Sequence, residues 1–543
     1  MRRKRPTSSR QKKEELKIKR AVKRGDKSPP PPKHRDRRKL TRPPNTLAES
    51  SKRLQSSFVK PTQNYLDQTK MLASTVPLLR PIPPEAAIFT ESYADRPNLD
   101  ELTCPRRPKW RYDMSKKDVE RNEEGLHKKW LEQTDTILEK WRLEVVEPED
   151  DIDQESAEAY SIRSPSSFER NLEVWRQLWR VTEISQIILV LIDSRCPLLH
   201  YPPSLASFLS NRKVILVLTK TDITGPLRSN AWVDYLRGTI PGLRVVQVQS
   251  YSSKEQGFYH QGRVEYEARI PQTLREQLVD AIRELHTQLL EPPEKEKTNP
   301  ERLRNWKPPV KRDINWGIAE SVHAQQASAN HEVDPEEPPF LTIGLVGQPN
   351  VGKSSLLNSL FGESRVRASK TPGKTKHYQT LFLTPEIRLV DCPGLVMPNY
   401  VPMEMQVLSG VLPISRVSAI PACVHYILQL LPLEEIFKLT HPNATEPPVA
   451  DNRTWREGMK RAVDKSTFWT AMDVLVAFAN KKGWVTAKAG RPDVSRAGNA
   501  SKISFISELY LVYSNAHCVS LACSSRRSSP LGLLASWYSF IVS

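Results

Sequence analysis

Cysteine is scarce in this sequence, with six in 543 residues, and none of the six lie at the close spacing of a metal site. We therefore predict a reducing compartment without a disulfide framework. No run of about eighteen apolar residues occurs either, so no membrane-spanning helix is expected. The first residues are charged from Arg2 onward and contain no apolar core, which excludes a secretory signal at this end.

Positive charge is concentrated near the amino terminus. Residues 1–50 contain nineteen Lys and Arg against five Asp and Glu, which gives 14 of the net charge of +19. This stretch has few large apolar residues, so it cannot bury enough surface to offset its chain entropy, and we predict a disordered basic tail. Clusters such as residues 2–5 suit a nuclear-import signal or contact with the phosphate backbone of RNA. The alternative is that this tail is only a solvated segment and binds no partner.

The middle of the chain shows the pattern of an α/β fold. Short apolar strands alternate with amphipathic helices, which predicts a parallel sheet flanked by helices. The predicted strands are residues 186–192, 214–218, 244–248, 341–346, 378–383 and 387–390. Polar motifs follow the carboxyl ends of these strands, which is where such sheets place their ligands.

Residues 347–355 fit the phosphate-loop pattern G-x-x-x-x-G-K-S between a predicted strand and a predicted helix. The glycines let successive backbone N–H groups point inward at phosphate oxygens, and the helix amino terminus adds partial positive charge. Lys353 would reach the β- and γ-phosphates, and the Ser354 hydroxyl would ligate Mg²⁺. The nucleotide-binding residues predicted in this loop are Gly347, Asn350, Val351, Gly352, Lys353, Ser354 and Ser355.

A second motif, Asp391-Cys-Pro-Gly394, follows a predicted strand downstream of the phosphate loop. The Asp391 carboxylate can hold Mg²⁺, usually through water, and the Gly394 N–H can sense a γ-phosphate; Pro393 completes this nucleotide contact. Thr375 lies between the two motifs and is predicted to ligate Mg²⁺ when a γ-phosphate is present, although residues 371–375 also fit an ordinary turn. The predicted catalytic residues are Lys353, Thr375 and Gly394, and the predicted metal ligands are Ser354, Thr375 and Asp391.

Recognition of guanine requires a carboxylate that accepts hydrogen bonds from the base N1–H and exocyclic amine, with a long side chain over the ring. The pattern [NT]-K-x-D supplies both. Downstream of Asp391 this pattern is missing, because residues 480–483, Asn-Lys-Lys-Gly, lack the acid. Upstream, Thr219-Lys220-Thr221-Asp222 follows a predicted strand. The base-reading motif is therefore predicted to precede the phosphate loop, with a chance tetrapeptide as the alternative.

Motifs in this order resemble those of the circularly permuted GTPases of the YlqF/YawG family. Within that family, the resemblance is to the eukaryotic guanine-nucleotide-binding-protein-like branch, whose members are relatives of nucleostemin. The resemblance covers residues 168–499. It is found at residues 171–179, 193–197, 219–222, 347–354, 391–394, 406–410 and 488–493. It implies an α/β fold: a P-loop, Ras-like GTPase domain that is circularly permuted, with the basic disordered tail before it and a small, mostly helical domain after it.

The resemblance also implies ligands and roles. GTP or GDP with Mg²⁺ would bind, Lys220 and Asp222 would read guanine, and Ser250 would lie in the last base-contacting loop, residues 250–253. Thr219 replaces the commoner asparagine, and we expect its shorter side chain to reach less far toward the phosphate loop and to weaken nucleotide affinity.

Two residues near the phosphates bear on the rate of hydrolysis. Asn350 matches an asparagine found in potassium-stimulated relatives, which makes K⁺ a further expected cofactor. Leu395 stands where Ras-type enzymes carry the glutamine that orients water. An apolar side chain cannot orient water, so slow intrinsic hydrolysis is expected.

The function predicted from these features is GTP hydrolysis to GDP and phosphate as a switch in ribosome biogenesis, in the nucleus or nucleolus with shuttling to the cytosol. The basic tail would contact ribosomal RNA or pre-ribosomal particles. Alternatives are a non-hydrolysing, nucleotide-gated nuclear scaffold and a P-loop ATPase.

Five domains or segments are predicted along the chain. They are the tail (1–55), an amino-terminal extension (56–165), the permuted G domain (166–400, insertion 291–339), a helical domain (401–500) and an atypical tail (501–543). We interpret the last segment as a gene-model error or an alternative exon.

Overall fold

A six-stranded mixed sheet lies at the centre of this computed structural model. Its strands are β1 (Ile187–Asp193), β2 (Lys213–Thr219), β3 (Arg244–Gln247), β6 (Leu341–Val346), β7 (Gln379–Phe382) and β8 (Ile387–Asp391). Their order across the sheet is β3-β2-β1-β6-β8-β7. A separate two-stranded antiparallel sheet contains β4 (Ser252–Ser253) and β5 (Tyr266–Glu267).

The structure describes twelve stretches of the chain: residues 53–59, 61–78, 101–143, 164–240, 242–253, 266–320, 340–366, 377–413, 419–430, 432–442, 468–486 and 490–499. Most of the predicted basic tail, the predicted tail at 501–543 and Thr375 lie outside these residues. In the described part of the chain, no helix has the length and apolar character that crossing a membrane requires.

Helices surround the sheet on both faces and continue beyond it. They are α1 (Gln63–Thr75), α2 (Lys116–Leu143), α3 (Leu172–Ile184), α4 (Pro197–His200), α5 (Pro203–Leu209), α6 (Thr221–Thr224), α7 (Pro226–Thr239), α8 (Gln272–Leu290), α9 (Glu294–Lys297), α10 (Pro300–Asn305), α11 (Trp316–Glu320), α12 (Lys353–Phe361), α13 (Met403–Leu408), α14 (Ile420–Leu430), α15 (Leu433–Ile436), α16 (Ala471–Lys481) and α17 (Val494–Gly498).

Strand β7 departs from the parallel arrangement expected from the sequence. It pairs antiparallel with β8, whereas the other neighbours in the sheet are parallel. Only residues 383–386 connect β7 to β8. A parallel pair needs a crossover of about a dozen residues, so this short connection permits only an antiparallel hairpin.

Burial on both faces explains why the central strands read as continuous apolar runs. In β1, Ile188, Val190 and Ile192 pack into one core cluster with α2 and α3, and the alternate residues pack into a second cluster with α8 and α12. Residues of the predicted insertion contribute to the second cluster, since Val310 and Ala319 are fully buried there. The described part of that segment is therefore partly core.

A third apolar cluster combines segments from both ends of the described chain. Helix α1 packs against α13, α14 and α16, and the Tyr65 hydroxyl donates a hydrogen bond to Glu404 Oε1 over 2.9 Å. Helix α2, in contrast, packs on the sheet domain, where the Trp130 ring lies 5.4 Å from the ring of Trp175. The two helices of the extension thus stabilise different cores.

Candidate functional site

The phosphate loop connects β6 to α12 at the carboxyl edge of the sheet. Asn350 and Gly352 adopt left-handed backbone conformations, with φ of 61° and 104°. Such turns direct successive N–H groups into the loop, which forms an anion-binding nest. A Cβ added at Gly347 would lie 2.7 Å from the Leu191 carbonyl oxygen, so the close approach of the loop to β1 requires glycine there.

Lys353 lies inside this loop. Its Nζ donates hydrogen bonds to the carbonyl oxygens of Gly347 (2.8 Å) and Gln348 (2.7 Å). Burial lowers the pKa of Lys353 to about 8, and the nearby Asp391 carboxylate opposes this shift. The ammonium group is thus held over the nest by two weak carbonyl acceptors, which phosphate oxygens could replace with stronger, charge-assisted bonds.

Asp391, at the end of β8, is buried, and neither of its carboxylate oxygens has a hydrogen-bond partner among the described residues. Burial raises the pKa of Asp391 to about 6, although Lys353 lowers it in part. A buried carboxylate without partners suits a hard cation, and Mg²⁺ is usually bound through one or two protein oxygens plus phosphates and water. The residues present therefore fit Mg²⁺, for which Ser354 is the other predicted protein ligand near the phosphate loop.

Gly394 brings the end of the Asp391 motif against the phosphate loop. A Cβ added there would lie 2.9 Å from Pro349 Cα and 3.2 Å from Lys353 Nζ. Pro393, in the same motif, is buried. The two predicted phosphate-binding motifs are thus in van der Waals contact.

Thr219 joins the base-reading motif to the phosphate loop, and here the expectation of a shorter reach is wrong. Its Oγ1 lies 2.6 Å from the Val351 carbonyl oxygen and 3.1 Å from that of Ile192. Thr219 is the last residue of β2, and the strand brings its hydroxyl directly beside the loop. A longer side chain is not needed for this contact.

Lys220 is held by a buried ion-pair cluster. Its Nζ lies 2.7 Å from Asp193 Oδ2, which also accepts a 2.7 Å hydrogen bond from Arg195 Nη2. Burial alone would raise the pKa of Asp193, but Lys220 and Arg195 hold it well below its usual range. Asp193 thus fixes the position of the Lys220 side chain. The sequence did not reveal this role, although Asp193 directly follows a buried strand and lies in residues 193–197, one of the segments that carry the family resemblance.

Asp222 and the predicted last base-contacting loop lie beside this cluster. The side chain of Asp222 is exposed to solvent on α6, while Ser250 is buried. The next residue, Tyr251, donates a hydrogen bond over 3.3 Å to the Ser355 hydroxyl at the start of α12. The loop of residues 250–253 therefore lies next to the phosphate loop. Just before this loop, the Val248 carbonyl oxygen lies 3.4 Å from Thr221 Oγ1 of the base-reading motif.

Two further residues contact the site without having been predicted in those roles. Asn350 Nδ2 donates a 2.7 Å hydrogen bond to the carbonyl oxygen of Gly410, beyond α13. His200 is fully buried near Lys353, and neither ring nitrogen has a hydrogen-bond partner among the described residues. Burial lowers the pKa of His200 to about 3, so that its ring is neutral at physiological pH.

Comparisons with known proteins agree with this geometry. A family model described as 50S ribosome-binding GTPase matches residues 342–441. The chain is 33% identical over 431 residues to guanine nucleotide-binding protein-like 1 of Homo sapiens, covering 74% of this chain and 62% of the relative. It is 30% identical over 406 residues to large subunit GTPase 1 of Schizosaccharomyces pombe, covering 74% and 56%. The chain thus spans about six tenths of the length of the curated relatives it matches.

A match to a solved structure of YlqF from T. maritima covers 63% of this chain and 95% of that structure, at 16% identity and a TM-score of 0.30. The family assignment depends on the sequence matches and on the order of the motifs. The base-reading motif at the end of β2 precedes the phosphate loop at the end of β6 along the chain, yet both lie at one edge of the sheet. In sequence and in motif order, the chain is similar to the YlqF-type 50S ribosome-binding GTPases.

Proposed function

We propose that this protein binds GTP between residues 219–222 and the phosphate loop and hydrolyses it to GDP and phosphate. The observation that carries the proposal is the 2.6 Å hydrogen bond between Thr219 and Val351, residues 132 positions apart. This contact makes one site out of a guanine-reading segment and a phosphate-binding segment. Neither segment alone selects GTP, whereas the joined pair supplies both base and phosphate contacts.

Each group has a defined task in this proposal. Asp222 accepts hydrogen bonds from the guanine edge, and Lys220, held by Asp193, lies over the ring. Lys353 exchanges its carbonyl acceptors for phosphate oxygens, and Gly394 donates its N–H to the γ-phosphate. Bound Mg²⁺ at Asp391 and Ser354 would neutralise charge on the phosphates.

The residue after Gly394 supports a slow intrinsic rate. Leu395 is fully buried in the core cluster beneath α3, so it neither reaches the γ-phosphate nor holds a water molecule. Water must then be oriented by another group. Asn350 is the candidate for help from K⁺, because its nitrogen is fixed by Gly410 and its oxygen has no hydrogen bond among the described residues.

Single-turnover hydrolysis in potassium and in sodium tests this proposal. We expect a slow rate in sodium and a clearly faster rate in potassium, and we expect Asn350→Gly, which tolerates the positive φ, to lose the response to potassium. Equal and fast rates in both salts would contradict the proposal. No turnover in either salt, even with large-subunit particles, would instead favour a nucleotide-gated scaffold.

We also propose that the switch acts on ribosome assembly in the nucleus or nucleolus. The family's description as ribosome-binding and the fourteen excess positive charges in residues 1–50 support this role. Co-sedimentation with pre-ribosomal particles should depend on GTP, and deleting residues 1–50 should weaken it. Binding that is the same with GTP, with GDP and without nucleotide would refute a GTP-gated role.

A further inference from the structure

An exposed aromatic and basic segment lies just before α2, away from the nucleotide site. Trp110 is 47% exposed and Tyr112 is 97% exposed, and their ring centroids lie 5.1 Å apart in an edge-to-face arrangement. Lys109 and Arg111 alternate with the two rings along the chain, are exposed, and make no ion pair with any described residue. Two neighbouring exposed aromatic rings that alternate with two cations indicate a binding surface.

The segment is a fixed platform, because its preceding residues are anchored on the sheet domain. The Thr103 carbonyl accepts a 2.7 Å hydrogen bond from Trp130 Nε1, and the Pro105 carbonyl accepts one of 2.8 Å from Trp179 Nε1. Arg107 forms ion pairs with Glu123 and Glu183 at 2.8 and 2.9 Å. A ligand on Trp110 would therefore meet side chains whose backbone is already ordered, which lowers the entropy cost of binding.

A cavity of about 250 Å³ opens at Arg106 and Arg107, the anchored residues that precede Lys109 in the chain. Its lining includes Arg106, Arg107, Arg212 and the ring of Phe208. The one acidic side chain in the lining, Glu183, is paired with Arg107. Residues 105–117 contain six Lys and Arg but one acid, so the surface around the cavity is strongly positive.

This surface lies at the opposite edge of the sheet from the nucleotide site. Residues near the ends of α3 and α5 line the cavity, and these helices end shortly before β1 and β2 begin. The cavity is therefore at the amino ends of these two strands. Nucleotide-site residues such as Thr219 and Asp391 lie at the carboxyl ends. Both surfaces can therefore be occupied at the same time.

We propose that Lys109, Trp110, Arg111 and Tyr112, together with the adjacent cavity, bind single-stranded RNA. Unstacked bases would stack on the Trp110 and Tyr112 rings, and Lys109 and Arg111 would contact phosphates, the combination that single-strand-binding proteins use. This inference refines the proposed ribosomal role by naming the chemistry of a second RNA contact, distinct from the basic tail. It does not depend on the GTP site.

Ultraviolet cross-linking of the full chain to oligouridine, followed by peptide mapping, locates the contact despite the basic tail. We expect cross-links at Trp110 or Tyr112. Trp110→Ala with Tyr112→Ala should abolish them and weaken binding by about tenfold or more per stacked base. Trp110→Phe with Tyr112→Phe should retain most of the binding, and Phe468→Ala, at a ring that is 69% exposed elsewhere, should have no effect.

A salt titration separates the phosphate contacts from the stacking. Lys109→Gln with Arg111→Gln should lower the slope of log K against log salt by about 1.4, since each phosphate contact on a single strand contributes about 0.7. Lys128→Gln with Lys129→Gln, exposed on α2, is the matched control and should change the slope less.

Three results would overturn the RNA proposal: cross-links confined to residues 1–52, unchanged binding in the aromatic variant, or displacement of RNA by an acidic peptide that binds more tightly. Measuring GTP binding in the same samples keeps the two proposals apart. Failure of RNA binding with intact GTP binding would contradict only this inference. Failure of GTP binding with intact cross-links would contradict only the proposed function.

Discussion

Asp222→Asn should weaken GTP binding about a hundredfold or more and allow xanthosine triphosphate to bind. The Asp222 carboxylate would accept two hydrogen bonds from guanine, and bonds to a charged group contribute about 1.5–3 kcal/mol each. Asparagine offers one acceptor and one donor, which leaves the guanine amine facing an NH₂ group. Xanthine has a carbonyl oxygen at that position and would accept from the amide. Fluorescence titration with GTP, xanthosine triphosphate and ATP measures the change.

Asp234→Asn is the matched control, because Asp234 is also an exposed acid, on the neighbouring helix α7. It should leave affinity for all three nucleotides unchanged. Since Asp222 is itself exposed, its substitution should not disturb folding, and equal thermal midpoints of both variants would verify this. If ATP competes with GTP on equal terms in the unmodified protein, residues 219–222 do not read guanine and the chain is a P-loop ATPase.

The six strands of the central sheet were predictable to within two residues, most clearly β1, β2 and β6, which are nearly continuous apolar runs because they are buried on both faces of the sheet. Their neighbours in the sheet were not predictable from these runs. Strand β6 lies between β1 and β8, although more than 140 residues separate β1 from β6 along the chain. Apolar runs carry no information on pairing partners, so only the motif order indicated the permuted arrangement.

The motifs of the candidate site were also predictable, since a phosphate nest requires glycines and a lysine at fixed spacing. The contacts between motifs were not. Thr219 reaches Val351, and Lys220 meets Asp193, because the ends of β1 and β2 lie beside the phosphate loop. Spacing within one segment does not reveal such distances. Rules for single motifs therefore failed at Thr219, because the end of β2 places the short side chain directly beside the phosphate loop.

The phosphate-binding motifs are connected to the helical region in two ways. The segment after Gly394 leads directly into α13, where Gln406 accepts a 2.9 Å hydrogen bond from the Ser167 N–H. The bond from Asn350 to the Gly410 carbonyl joins the phosphate loop to the residues after the same helix. A displacement of Gly394 toward a γ-phosphate would therefore be transmitted to α13, and this is how the proposed GTP-gated switch would move the helical region.

Gly394→Ala tests the chemical end of this lever and should lower single-turnover GTP hydrolysis by about a hundredfold or more. The added Cβ would lie 2.9 Å from Pro349 Cα and 3.0 Å from Pro349 N, which are backbone atoms of the phosphate loop that cannot rotate away. The Gly394 N–H would then be displaced from the γ-phosphate, and removal of one such donor costs about a hundredfold to a thousandfold in rate. GDP has no γ-phosphate and therefore does not use the Gly394 N–H. The affinity of the variant for GDP should fall by less than about tenfold.

Gly238→Ala provides the matched control for Gly394→Ala. Gly238 lies on α7, and a Cβ there would meet no atom within 4 Å. Alanine is the better helix former by up to about 1 kcal/mol, so this variant should be as stable as the unmodified protein or slightly more stable, with unchanged hydrolysis. Thermal midpoints measured with GDP distinguish a misfolded Gly394→Ala protein from a folded one that fails in catalysis. A folded variant that hydrolyses GTP at the normal rate would show that Gly394 does not sense the γ-phosphate.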